Sequence, residues 1–239
     1  MRTIIGGLIF GIYMLLFYLN SIEYKRVKSK GTQEDVDKFM FKIGKRWARR
    51  TLKITGTTME VHGEENLVDG PCLFVANHQS YMDVPIIVSI AKSHLGFVAK
   101  KELAEVPLFG VWIRRTRSLF LDRENTREAI KVIIEGVKYL KEGHSLCIFP
   151  EGTRSKSNNV GTFKKGSLKL ALKSGVPIVP VTIDGAYRVL EENNRLRKAH
   201  VIVTVDKPIY TDGMTKEEQN DLIDEIRAMI VKNLEQKNR

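Results

Sequence analysis

Apolar residues fall in three different rhythms along the chain. From Ile4 to Ile22 they belong to one uncharged run of 19 residues. As a helix rising ~1.5 Å per residue, that run reaches roughly 29 Å, close to the hydrocarbon thickness of a bilayer. The segment is therefore expected to meet lipid, either by spanning or by shallow insertion. From Glu34 to Leu52, Val36, Phe39, Met40, Ile43 and Trp47 recur at helical spacing, while Lys38, Lys42, Lys45, Arg46, Arg49 and Arg50 take the other faces. That is the pattern of a basic amphipathic helix. Its apolar stripe can face lipid, or pack on the body of the protein.

Beyond residue 52 the rhythm changes to short apolar runs separated by helical patterns. Strands are predicted at Leu52–His62, Cys72–Ala76, Gly96–Ala99, Leu119–Asp122, Leu146–Phe149, Ile178–Ile183 and His200–Val205. Helices are predicted at Asp83–Lys92, Glu105–Arg114, Thr126–Lys141, Lys164–Ser174 and Lys216–Lys237. This alternation implies an α/β fold, a mostly parallel or mixed central sheet flanked by helices. The expected organisation is an N-terminal two-helix membrane-associating element over residues 1–52 and one α/β catalytic domain over residues 53–239.

Charge sharpens that picture. Of the net +11, the stretch from Lys25 to Lys53 holds +8, with eleven cations against three carboxylates. An excess so local, directly after a lipid-length apolar run, fits an anionic membrane surface, where each cation contributes on the order of 1 kcal/mol. Arg2 before the run and Lys25, Arg26, Lys28 and Lys30 after it would put the body of a spanning chain at the cytoplasmic face of the membrane. A nucleic-acid partner is not expected, because no aromatic-interleaved sheet or reading motif accompanies the basic segment. Cys72 and Cys147 sit inside apolar runs, which predicts buried, inert thiols. No metal-ligand spacing is present, so neither a bound metal nor a disulfide is expected.

Chemistry concentrates at two strand ends, where sites gather in such sheets. The run Asn77-His78-Gln79-Ser80-Tyr81-Met82-Asp83 leaves one predicted strand and enters a helix. In a regular helix a five-residue offset turns ~500°, or 140° net, and would hold His78 and Asp83 apart, so the loop must turn between them. An imidazole oriented by a carboxylate is the base half of a catalytic triad. Ser80 is equally consistent with capping the helix. If no side chain forms an acyl-enzyme, a substrate hydroxyl must attack directly. The second strand ends in Phe149-Pro150-Glu151-Gly152-Thr153-Arg154-Ser155, where Gly152 gives backbone freedom and Arg154 a guanidinium suited to phosphate. Lys100, Lys101, Arg114, Arg115, Arg117 and Arg123 supply further cations nearby in sequence.

With Phe120-Leu121-Asp122-Arg123 and Val176-Pro177-Ile178-Val179-Pro180-Val181, those two runs resemble the four ordered blocks of the glycerolipid acyltransferases, in particular the bacterial 1-acyl-glycerol-3-phosphate acyltransferases. The resemblance covers roughly residues 70 to 185. It implies transfer of an acyl group from acyl-CoA or acyl-carrier protein, as co-substrate, to the sn-2 hydroxyl of lysophosphatidic acid. It also implies that no cofactor is needed. His78 and Asp83 would be catalytic, with Glu151, Gly152, Thr153, Arg154 and Arg123 around the acceptor. Lys100 is a further candidate. Members often carry glycine where this sequence has Arg117, so Arg117 either joins the phosphate site or marks a different loop. A related acyltransferase acting on glycerol 3-phosphate or another lysolipid is the alternative.

Overall fold

The structure, a computed structural model, describes residues 1–122 and 126–236. Seven strands form one mixed sheet: β1 (Thr57–His62), β2 (Leu73–Ala76), β3 (Leu95–Lys100), β4 (Leu119–Leu121), β5 (Ser145–Ile148), β6 (Ile178–Asp184) and β7 (Ala199–Val205). Their order is β1-β7-β6-β2-β5-β3-β4. Only the β6–β7 pairing is antiparallel; the others are parallel.

Because both faces are covered, the central strands read as continuous apolar runs, and the two-residue period separates their faces. From β2, Phe74 and Ala76 enter one core with Ile86, Ile87 and Ile90 of α4 (Asp83–Ile90). Leu73 and Val75 enter the other, against α6 (Thr126–Lys141), α7 (Lys169–Ser174) and α8 (Lys216–Gln236). On α8, Leu222, Ile226, Ile230 and Leu234 repeat every four residues and are buried, as the sequence pattern predicts. Cys72 and Cys147 are free and buried, and burial pushes the Cys72 thiol up to about 12, so both are inert.

Of the two partners open to the apolar stripe of the second N-terminal segment, lipid or the body of the protein, the structure shows protein. The apolar run becomes α1 (Arg2–Tyr18), followed after Leu19 by α2 (Asn20–Lys30). Gly31 then breaks the chain, and Thr32 and Asp35 form a capping box that starts α3 (Gln33–Thr55). The helix outlasts the predicted boundary: residues 52–55, expected in a strand, form its last turn, and Gly56 ends it in the left-handed conformation at φ 74. The stripe of Val36, Met40 and Ile43 packs against Met14 and Phe17 of α1 and against Trp112 of α5 (Phe109–Arg115). α1 also leaves apolar surface open: its Leu8, Ile12, Leu15 and Leu16 are each about 60% exposed.

α1 touches the body at both ends. Arg2 donates to the Thr55 carbonyl at 2.9 Å, and Thr3 Oγ1 accepts from the Leu196 amide at 3.0 Å. Near the other end Phe17 lies 4.9 Å from the Trp112 ring. The helix thus lies along the protein rather than pointing away from it.

Candidate active site

Three adjacent strands, β6, β2 and β5, run parallel and end at the same edge of the sheet. The loop after β2 carries His78. It does turn, as the five-residue offset requires, and α4 begins only at Asp83. His78 Nδ1 and Asp83 Oδ2 are 2.7 Å apart. The same oxygen accepts from the amides of Gln79 at 2.7 Å and Ser80 at 2.8 Å. Asp83 is fully buried, and burial pushes its carboxyl above the ordinary range, opposed by the His78 ring and those two amides. Nε2 is left as the nitrogen that can meet a substrate, and the imidazole remains 18% exposed.

Neighbouring strands fix the His78 loop. Asn77 exchanges two hydrogen bonds with Ile183 of β6, donating to its carbonyl at 2.9 Å and accepting from its amide at 2.8 Å. Gln79 Oε1 accepts from the amides of Gly185 and Ala186. On the other side the loop after β5 supplies Phe149, whose ring stacks on His78 at 4.1 Å between centroids and 13° between planes. The Ser155 amide donates to the His78 carbonyl at 2.8 Å. The two sequence runs thus meet at one place.

Glu151 joins the loops after β2 and β5. Its Oε1 accepts from the His78 amide at 2.7 Å and its Oε2 from the Gly161 amide at 2.8 Å. Burial raises its carboxyl, which those amides oppose. So engaged, the carboxylate braces the two loops that build the site. Gly152 adopts φ 71, and its amide donates to the Phe149 carbonyl, closing the turn. Thr153 is exposed on the same turn. Arg154 lies with its guanidinium 3.5 Å from the centre of the Tyr81 ring and donates to Glu191 at 2.9 Å. Ser80 is fully buried; its hydroxyl donates to Glu191 at 2.7 Å and accepts from the Met82 amide, so it is no nucleophile.

Lys100 ends β3 at this same edge, two strands from β2, paired with Glu102 at 2.8 Å. Arg117 does not join this site. It precedes β4, so a parallel register sends it to the opposite edge of the sheet. There it donates to His144 Nε2 and lies 3.7 Å from Asp37. Asp37, His94 and His144 hold their donor atoms within 4.8 Å of one another. The Arg117 contact leaves the His144 proton on Nδ1, so that guanidinium is already the cation of the group. Arg123 lies outside the described residues.

A His–Asp pair thus stands at the end of parallel strands, beside an arginine. The chain belongs to the Acyltransferase family, whose model matches residues 58–184. It is 33% identical over 185 residues to the 1-acyl-sn-glycerol-3-phosphate acyltransferase of Saccharomyces cerevisiae, a match covering 76% of this chain and 61% of the relative. It is 34% identical over 177 residues to a chloroplastic 1-acyl-sn-glycerol-3-phosphate acyltransferase of Brassica napus, covering 72% of this chain. These matches span about half to three-fifths of the relatives' own length. The crystal structure of the 1-acyl-sn-glycerophosphate (LPA) acyltransferase of Thermotoga maritima superposes with a TM-score of 0.77 at 29% identity, covering 100% of this chain and 98% of that one.

Asp83→Asn keeps the shape of the site but removes the negative charge that would stabilise an imidazolium, and it leaves one acceptor oxygen beside an NH2 donor. Steady-state kinetics should record a fall in kcat of about 10²- to 10⁴-fold with KM little changed; a variant within threefold of wild type would remove Asp83 from the mechanism.

Proposed function

We propose that the protein transfers a fatty acyl group from a thioester donor, acyl-CoA or acyl-carrier protein, to the sn-2 hydroxyl of 1-acylglycerol 3-phosphate. The observation that carries this reading is the placement of the His78–Asp83 pair directly against the turn that bears Arg154. The names of the relatives support lysophosphatidic acid as acceptor.

In this mechanism His78 Nε2 takes the proton of the acceptor hydroxyl as its oxygen attacks the thioester carbonyl. Asp83 holds the other nitrogen and stabilises the imidazolium that forms. The tetrahedral oxyanion then collapses, the carbon–sulfur bond breaks, and the leaving thiolate recovers the proton from His78. The Gly152 amide is occupied by the Phe149 carbonyl. The Thr153 and Arg154 amides of the same turn are therefore the better donors for the oxyanion. Arg154 binds the phosphate, with Lys100 as a further cation at this edge; the family resemblance adds Arg123 as a candidate contact. No metal or cofactor is assigned a role.

Membrane association follows from α1. A helix that keeps both ends on one body does not carry either end across ~30 Å of hydrocarbon. It lies in one leaflet with its exposed leucines and isoleucines toward the acyl chains, and the basic face of α3 reinforces it against anionic head groups. The catalytic body then sits at the cytoplasmic face, where thioester donors are made.

Two measurements test this. With one labelled acyl-CoA and equal amounts of lysophosphatidic acid, glycerol 3-phosphate and lysophosphatidylcholine, the purified protein should make phosphatidic acid, preferring its acceptor by about tenfold or more; preferential labelling of either competitor would overturn the acceptor assignment. Leu8→Glu combined with Leu15→Glu should abolish sedimentation with vesicles containing phosphatidylglycerol while leaving the melting temperature unchanged, and undiminished sedimentation would refute the role of α1.

A further inference from the structure

Glu191 lies outside the matched blocks, in the segment that follows β6, yet its carboxylate sits at the centre of the arginine side of the cleft. Its side chain is 4% exposed. Oε1 accepts from Arg154 Nη1 at 2.9 Å and from the Tyr81 amide at 2.9 Å, while Oε2 accepts from Ser80 Oγ at 2.7 Å. Every one of those donors comes from the two loops that build the site. Because Tyr81 and Ser80 flank the His78 loop and Arg154 belongs to the opposite turn, one carboxylate ties the phosphate-facing side to the base-facing side.

We propose that Glu191 is a positioning residue that holds Arg154 ready for the acceptor's phosphate, an inference that rests on the acyl-transfer reading above. Arginine has a long, rotamer-rich side chain, and ordering it upon binding would diminish affinity. Here the guanidinium is ordered in advance. Nη1 is fixed by Glu191 and one flat face lies on the Tyr81 ring. Among the described residues Nε and Nη2 make no hydrogen bond, which leaves one edge of the fork for two phosphate oxygens.

The segment bearing Glu191 is itself held firmly enough to act as a support. The Gly185 and Ala186 amides donate to Gln79, and the Glu191 and Glu192 amides both donate to the Tyr187 carbonyl. Farther along, the Arg197 amide donates to the Val189 carbonyl and the Leu196 amide to Thr3 of α1. A carboxylate beside a phosphate site would ordinarily repel the ligand. With three donors already on its oxygens, Glu191 directs its charge into the protein and leaves the guanidinium to face outward.

The test is equilibrium binding of two inert ligands in detergent micelles: a 2-deoxy lysophosphatidic acid, which has no attacking hydroxyl, and 1-monoacylglycerol, which has no phosphate. Glu191→Ala should weaken binding of the first about tenfold and leave the second unchanged. In an Arg154→Ala background the same substitution should have less than a twofold effect, because there is no longer an arginine to hold. Glu191→Gln, which retains an oxygen for Arg154, should recover most of the affinity. Equal losses in both backgrounds, or equal losses for both ligands, would overturn the clamp and leave only a structural role. If the wild-type protein itself fails to distinguish the two ligands, the phosphate-acceptor reading falls first and the clamp falls with it.

Discussion

The buried carboxylate of Asp83 is the interaction on which the site depends. Removing an ionisable group wholly from water disfavours its charged form, and burial does push this carboxyl upward. What offsets that cost is donation: an imidazole and two backbone amides converge on Oδ2. The three bonds require the loop to curl around the start of α4, and the curl orients the His78 ring. Catalytic geometry and helix initiation are thus one feature.

Sheet topology supplies the rest of the constellation. Three parallel strands ending at one edge bring together loops that are far apart in sequence, and cross-bonds then lock them at short range. Asn77 and Gln79 reach the end of β6, Glu151 bridges the loops after β2 and β5, and Phe149 lies flat under the base. These side chains handle no substrate in the proposed mechanism. They convert loops, ordinarily the more mobile parts of a fold, into a rigid platform on which an arginine and an imidazole keep a fixed separation. At the opposite edge, Arg117, Asp37, His94 and His144 tie α3 to the starts of β3, β4 and β5 in the same manner.

Much of this was legible in the sequence because it depends on short-range patterns. The seven strands and the long terminal helix follow from local period, whereas the pairing of His78 with Asp83 is what the resemblance to the acyltransferase blocks implies, since five residues of regular helix would hold the two apart. The bracing contacts of Glu151 carry no local signal, because their partners, the amides of His78 and Gly161, are long-range. Arg117 could have been placed correctly, since it precedes its strand while sites in parallel sheets collect after strands. Glu191, Asn77 and Gln79 carry no local signal, because a buried polar residue is recognised only once its partner is known. The α3 stripe was ambiguous for a related reason: hydrophobic periodicity says that a face is covered, not whether lipid or protein covers it.

In the proposed mechanism His78 acts as the base in a single acyl transfer to a bound hydroxyl, with no acyl-enzyme. Single-turnover measurements on His78→Ala, with lysophosphatidic acid and labelled acyl-CoA both bound, test it most directly. The account predicts that both substrates still bind with affinities close to wild type while product formation falls by at least about 10²-fold. Product formation near the wild-type rate, or label trapped covalently on the protein, would contradict it.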